Sequence, residues 1–325
     1  MTSSARADRR SFWARYNVAI VAFLCVILYI LFVQYMFGWR SVLGVWRSVG
    51  LLPVASALLL LVSTYLVRTW RLRDYFPGEA RGRFVELFRL AQVHNVLNIM
   101  LPFRSGETSF PILMRSQFGV PLLRGTSALL VMRLLDLHAL LGAAGVGLVL
   151  GAGGGAIYWV LWLAFLIMPL LAFAVKDPVL RFVLSRFPGR LSRLASEVAA
   201  GLPSDYPALL RAWAMTVLNW GVKVVVLAWV LALMGVEPLA AGFGGALGGE
   251  LSSVLPLHAP GGVGTYPAGI TAGALSFGAP ARDGAMETLM QASLNLHLLM
   301  VVSALAGLGI SLLLSALVRP RAGDI

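Results

Sequence analysis

The chain has 325 residues, 59% of them hydrophobic and only 12% charged, with a net charge of +12. Soluble domains carry about 25% charged residues, so this is the composition of a polytopic membrane protein. Its longest polar stretches, 68–92 and 176–208, are far shorter than the roughly 100 residues a soluble catalytic domain needs.

The chain opens on a basic segment, 1–17, with Arg6, Arg9, Arg10 and Arg15 ahead of an apolar run at 18–37. No small-residue cleavage site follows that run, which is long enough to span, so it reads as an uncleaved first helix. Further apolar runs lie at 49–67, 125–150, 156–175, 209–234 and 285–317. Each can cross a hydrocarbon core of about 30 Å, and the last has length to spare for tilt.

Two other apolar stretches, 90–118 and 239–278, are broken in their middles. Pro102, Arg104, Ser105, Gly106 and Glu107 interrupt the first; His258, Pro260, Gly261, Gly262 and Gly264 interrupt the second. Neither half of either stretch spans comfortably, so each is expected to dip in and return as a re-entrant hairpin. Irregular backbone at membrane depth has to line a cavity or be buried in protein.

The two broken stretches also read as diverged copies of one unit. Leu101-Pro102, Gly106, Ser109-Phe110-Pro111, Phe118-Gly119-Val120-Pro121 and Asp136-Leu137-His138 in the first match Leu255-Pro256, Gly262, Thr265-Tyr266-Pro267, Phe277-Gly278-Ala279-Pro280 and Asn295-Leu296-His297 in the second. In both copies the His lies 17 positions after the last Pro. Pro and Gly at corresponding places in two hydrophobic halves point to a transport site.

With six crossings and two hairpins, the loops on one side (1–17, 68–92, 112–124, 176–211, 318–325) carry 20 of the 26 Lys and Arg residues. Those on the other side carry Arg40, Arg47 and Arg282. That asymmetry places the basic side and both termini in the cytoplasm. It also makes the charge a topology signal, with no nucleic-acid partner implied. The first hairpin then enters from the cytoplasm and the second from outside. The expected fold is an all-α polytopic membrane protein, a single integral membrane domain over 1–325. It has six transmembrane helices and two re-entrant hairpins as an inverted repeat, one copy over about 18–150 and the other over about 156–317.

Charged side chains within the membrane segments need a reason, since each costs about 2.5–3.5 kcal/mol at the bilayer centre on insertion scales. Arg133 and Asp136 are three apart on one helix face and can pair. Such a pair either locks its helix to a hairpin or belongs to a binding site. Lys223, one turn after Asn219, has no acidic residue of its own helix in reach; Glu107 and Glu250 are its candidate partners. A buried Lys–Glu pair and a cation that meets an anionic headgroup are both compatible with this. Glu287, Gln291 and Asn295 form a stripe expected to face the interior. His94, Asn95 and Asn98 do similar work at the start of the first hairpin, and His138 and His297 are expected to serve packing or hydrogen bonding. The turn Pro260-Gly261-Gly262-Val263-Gly264 lacks a P-loop's Gly-Lys-Ser/Thr, which excludes a nucleotide site; it is either an anion cradle or a plain tight turn.

The only cysteine, Cys25, lies in the first apolar run, so no intrachain disulfide is possible. The four His are scattered without zinc spacing, and there is no Gly-x-Ser-x-Gly elbow. No metal, cofactor or catalytic residue is expected.

The run His94-Asn95-Val96-Leu97-Asn98 through Leu101-Pro102-Phe103-Arg104-Ser105-Gly106-Glu107, followed by Arg133-Leu134-Leu135-Asp136-Leu137, resembles the lysylphosphatidylglycerol synthase transmembrane region family, with its Pro-x-Arg-x-Gly-Glu/Asp hairpin and Arg-Leu-Leu-Asp helix. Leu255-Pro256 through Pro260-Gly261-Gly262-Val263-Gly264 resembles its second signature, and the similarity extends over about 18–317. Phe110 stands where the family often has Arg, and Thr265-Tyr266-Pro267 where it often has Glu. The resemblance implies a flippase-like membrane module; no soluble synthase domain is expected in this chain, so the resemblance does not imply synthase activity.

The reading that combines these features is a translocator of an anionic phospholipid or of lipid-linked (polyprenyl or glycolipid) cargo in a bacterial cytoplasmic membrane. Its site would comprise Arg104, Gly106, Glu107, Arg133, Asp136, Lys223, Glu250, His258, Gly261, Gly262 and Gly264. Arg104 and Lys223 would meet phosphate, and Glu107 and Glu250 would balance charge or carry protons. Two alternatives stay open: a non-transporting membrane partner of a lipid or glycan synthesis complex, and a membrane-embedded enzyme on lipid-linked substrates. A homo-oligomer or a synthase partner fits any of these.

Overall fold

The computed structural model describes residues 24, 27–35, 38–151, 153–186, 189–254 and 259–318. The basic segment 1–17, Cys25, Leu255-Pro256 and His258 lie outside the described residues. Every regular element described is helical. Helix α1 (Ile27–Tyr35) meets α2 (Trp39–Val49) at an 87° bend. Thereafter come α3 (Leu51–Tyr75), α4 (Phe84–Met100), a 3-10 turn (Pro102–Thr108) and α5 (Ser109–Phe118). These lead to α6 (Leu122–Gly151), α7 (Ala156–Ala174), α8 (Lys176–Arg186), α9 (Arg190–Ala199) and α10 (Tyr206–Leu233). The chain closes with α11 (Leu239–Val254), a 3-10 turn (Pro260–Gly262), α12 (Thr265–Ser276) and α13 (Asp283–Val318).

Among the described residues, five helices are long and apolar enough to cross a membrane: α3, α6, α7 with its continuation into α8, α10 and α13. The bent α1–α2 pair makes six if it is counted as one span. This is the expected all-α polytopic membrane fold, with two departures in its elements. Residues 39–49, expected as loop, form α2, whose Trp39, Val42, Val45, Trp46 and Val49 recur at helical spacing while Arg40 and Arg47 point away. Helix α3 runs to Tyr75 rather than ending at 67, because no Gly or Pro interrupts 68–75. That extension carries Arg68 and Arg71, expected in a loop, into the bundle.

The first broken stretch returns to its own starting point: Arg83, just before α4, donates from Nη2 to the carbonyl of Gln117 near the end of α5 at 3.0 Å. A left-handed Gly119 then closes α5. The second hairpin is held more tightly. Gly244 and Gly248 on α11 face Gly269 and Gly273 on α12, so that a Cβ on Gly248 would sit 2.1 Å from the Gly269 carbonyl oxygen. Lipid tails are as apolar as leucine, so helices in a membrane associate through close packing. Small residues at i, i+4 allow that approach.

Helix α10 carries the chain from the end where α3, α5 and α6 have their basic termini to the opposite end, where α11 begins. One apolar cluster packs α4, α5, the end of α3 and the first half of α6, around Phe76, Leu87, Leu90, Phe110 and Met114. A second packs α10 to α13, around Leu227, Leu231, Leu247, Ile270 and Leu296. The polar residues described next lie where the hairpin tips meet.

Candidate functional site

Asp136 is the hub. Its side chain is 2% exposed and it accepts from Arg71 Nη1 at 2.7 Å. Trp220 Nε1 also donates to it, at 3.0 Å, and Arg133 Nη1 lies 3.3 Å from its other oxygen. Arg71 makes a further bond to Thr216 Oγ1 at 2.6 Å. Arg133 turns its Nε toward Glu107, 3.0 Å away, and Glu107 is ion-paired with Arg104. Arg104 in turn donates from Nη1 to the carbonyl of Ser253 in the second hairpin, at 2.6 Å. Five elements (α3, the first 3-10 turn, α6, α10 and α11) thus contribute to one network of ion pairs and charge-assisted hydrogen bonds, the latter stronger than neutral ones.

A second unit adjoins it. Lys223 Nζ donates to Glu250 Oε2 at 2.8 Å, and Tyr266 OH donates to Glu250 Oε1 at 2.8 Å. Ser253 Oγ donates to the Glu250 carbonyl at 2.7 Å, which ties this unit to the residue that Arg104 holds. Of the two acidic candidates for Lys223, Glu250 is the partner and Glu107 belongs to the arginines. The Glu250 carboxylate is 1% exposed and has both oxygens occupied.

A cavity of about 70 Å³ lies between the two units, lined among others by Tyr65, Arg68, Asn95, Arg133, Lys223 and Glu250. Arg68 donates to Asn95 Oδ1 at 3.3 Å. Among the described residues no carboxylate lies within ion-pairing distance of it. Asn95 Nδ2, Asn98 Oδ1 and Arg133 Nη2 are buried here without a hydrogen-bond partner among the described residues. Among the described residues, five basic side chains (Arg68, Arg71, Arg104, Arg133 and Lys223) accompany three carboxylates (Glu107, Asp136 and Glu250), an excess of two positive charges.

Of the residues singled out from sequence, Arg104, Glu107, Arg133, Asp136, Lys223 and Glu250 come together here. Gly106 packs on α4: a Cβ there would sit 2.4 Å from the Leu97 carbonyl oxygen, so only glycine lets the tip lie this close. Two amides of the Gly-rich turn are bonded within the turn itself. Gly261 takes φ +65°, the Gly262 N–H donates to the Ala259 carbonyl at 2.8 Å, and the Val263 N–H donates to the Pro260 carbonyl at 3.3 Å. Gly264 caps α12 just after it. The stripe on α13 is also shorter than expected: Asn295 is buried, but Glu287 faces out and accepts from Gln291. His94 bonds Ser109 Oγ at 2.9 Å, His138 donates to the Phe165 carbonyl at 3.0 Å, and His297 bonds Tyr29 OH at 3.0 Å, all holding helices together.

Sequence reasoning missed Arg68, Arg71, Tyr65, Trp220 and Tyr266. The signal for the two arginines was the uninterrupted helical stretch 51–75.

The model of the family described as "Lysylphosphatidylglycerol synthase TM region" matches residues 18–303. The chain belongs to this family. The matched span includes both hairpins and every ion pair of the central site. No curated protein and no solved structure matches the chain. In this member of the lysylphosphatidylglycerol synthase TM region family, the arginines of the first half and the Lys223–Glu250 pair of the second are joined by Arg104, which bonds Ser253, and by Trp220, which donates to Asp136 and lies with its ring centre 4.9 Å from Lys223 Nζ.

Proposed function

We propose that this protein moves an anionic phospholipid, or lipid-linked cargo with a phosphate-bearing headgroup, across a bacterial cytoplasmic membrane without changing it chemically. The observation that carries this reading is the surplus of two positive charges around a cavity at the meeting point of the hairpin tips. A buried cation without an acidic partner is costly, and a phosphate group would offset that cost through bidentate contact with a guanidinium. Arg68 is the central residue for this, with Lys223, Arg133 and the free amide of Asn95 beside it. The two hairpins act as an inverted pair, and the end of the bundle that gathers the basic loops faces the cytoplasm.

The test is reconstitution into phosphatidylcholine vesicles with fluorescent phosphatidylglycerol, reading how much label becomes accessible to an external quencher. Arg68→Gln is the decisive variant. It leaves no carboxylate orphaned, so the protein folds, and transport falls to the protein-free rate. Wild-type protein that moves no more label than empty vesicles, or an Arg68→Gln protein with unimpaired transport, overturns the reading.

A further inference from the structure

Helices α8 and α9 lie outside the core, and neither has a buried residue. On α9, Leu191, Leu194, Ala195 and Val198 recur at i, i+3, i+4 and i+7, and Leu191 is 56% exposed and Leu194 49%. Helix α8 adds Val179 and Phe182, 56% and 64% exposed. The segment 176–199 carries five basic residues against Asp177 and Glu197. An apolar stripe opposite basic residues is the pattern of a helix lying in a membrane interface, drawn to anionic lipid. Its position in the bundle agrees. Ser127 Oγ of α6 donates to the Val198 carbonyl at 2.7 Å and Arg124 Nε to the Ala200 carbonyl at 3.1 Å, so the hairpin is fixed at the basic end.

Directly beyond it, α7 stands off the bundle, and none of its residues is buried. It is held to α6 by Trp162 Nε1, which donates to the Gly142 carbonyl at 2.8 Å, and by the His138–Phe165 bond. Between these contacts and α8 a groove of about 360 Å³ opens, lined mainly by apolar side chains such as Leu134, Met168, Ala172 and Leu209. It runs along a different face of α6 from the one bearing Arg133 and Asp136. Lys176 stands at its rim, with Nζ 4.1 Å from the centre of the Phe173 ring and 3.3 Å from the Pro203 carbonyl oxygen.

We propose that this groove and the α8–α9 hairpin form a second lipid site, which holds one anionic glycerophospholipid by an acyl chain between α6 and α7 and by its phosphate at Lys176. The groove is lined mainly by apolar side chains, as an acyl chain requires. The net positive charge of the hairpin matches a phosphate at the height of the headgroups. The site stands apart from the central cavity and does not depend on the transport reading.

The test uses full-length protein in nanodiscs of phosphatidylcholine containing a diazirine-tailed phosphatidylglycerol probe, with cross-linked peptides mapped by mass spectrometry. Cross-links are expected on α6 and α7 residues of the groove, and unlabelled phosphatidylglycerol should compete for them while phosphatidylcholine does not. Ala172→Trp fills the groove and removes these cross-links. Lys176→Ala weakens competition by phosphatidylglycerol about fivefold, the effect of one basic residue near an anionic surface, and keeps the test decisive should Ala172→Trp fail to fold. Labelling that is equal with a phosphatidylcholine probe and unchanged in Lys176→Ala means bulk lipid only, and overturns the proposal.

Discussion

Arg104 of the first hairpin donates to the carbonyl oxygen of Ser253 in the second at 2.6 Å, across 149 positions of sequence. It does so from a left-handed backbone, φ +54°, next to Phe103 at φ +50°. Such conformations cost non-glycine residues about 1–3 kcal/mol and persist where the surroundings enforce them. Here the enforcing contacts are the ion pair to Glu107 and the bond across the hairpins. Arg104→Gly keeps the turn accessible but removes both contacts. Amide exchange over 102–108 is expected to rise about tenfold or more, the weight of one charge-assisted bond. Unchanged exchange would show that the tips are held by packing alone.

Asp136→Asn should destabilise the protein by about 3 kcal/mol, because Arg71 then stays buried without a charge partner. Equilibrium unfolding in mixed micelles measures this. A variant as stable as wild type would mean that Thr216 and water suffice for Arg71.

Lys223→Ala strands the Glu250 carboxylate, which is 1% exposed, and is expected to cost about 3–5 kcal/mol. The paired replacement Lys223→Met with Glu250→Gln should recover most of that stability and yet leave transport absent. Recovery of both in the vesicle assay would make the pair a structural bolt only.

Gly248→Ala pushes a methyl group against the Gly269 backbone and should cost about 1–3 kcal/mol through overpacking. Gly221→Ala, where nothing lies within 4 Å of the added carbon, is its control and should unfold no earlier than wild type. Equal melting of the two variants would show that α11 and α12 separate at little cost.

Asp205 caps α10 outside the membrane. The Ala208 N–H donates to its Oδ1 at 2.7 Å and holds its carboxyl below the ordinary value of 3.8. A lowered carboxyl pKa adds stability at pH above the unfolded value, and that stability is lost as pH falls through the folded one. Amide exchange at the start of α10 should therefore be slow near neutrality and rise, beyond intrinsic exchange, only below the ordinary carboxylate range. Asp205→Asn, which keeps an acceptor oxygen, should abolish that extra rise.

The membrane class, the long apolar spans and the two broken stretches were legible because they rest on local properties: hydrophobic run length, Pro and Gly placement, and basic residues counted by loop. Six site residues were legible for a related reason, since a charge inside an apolar run is conspicuous. The i, i+4 spacings of Gly244/Gly248 and Gly269/Gly273 stand in the sequence but went unread, and only the structure shows that these two faces pack together.

What the sequence by itself determined is the membrane class, the long apolar runs, the two broken stretches and the charges inside them. The tertiary structure alone decided how those charges pair. Arg71 meets Asp136 across 65 positions and Lys223 meets Glu250 across 27. Arg68, read from sequence as a loop residue, faces a cavity instead. The reason is physical. Local sequence sets the free energy of placing each helix in the membrane. Partner choice is set by distances between helices, which exist only once glycine faces and apolar clusters have fixed how closely the helices approach.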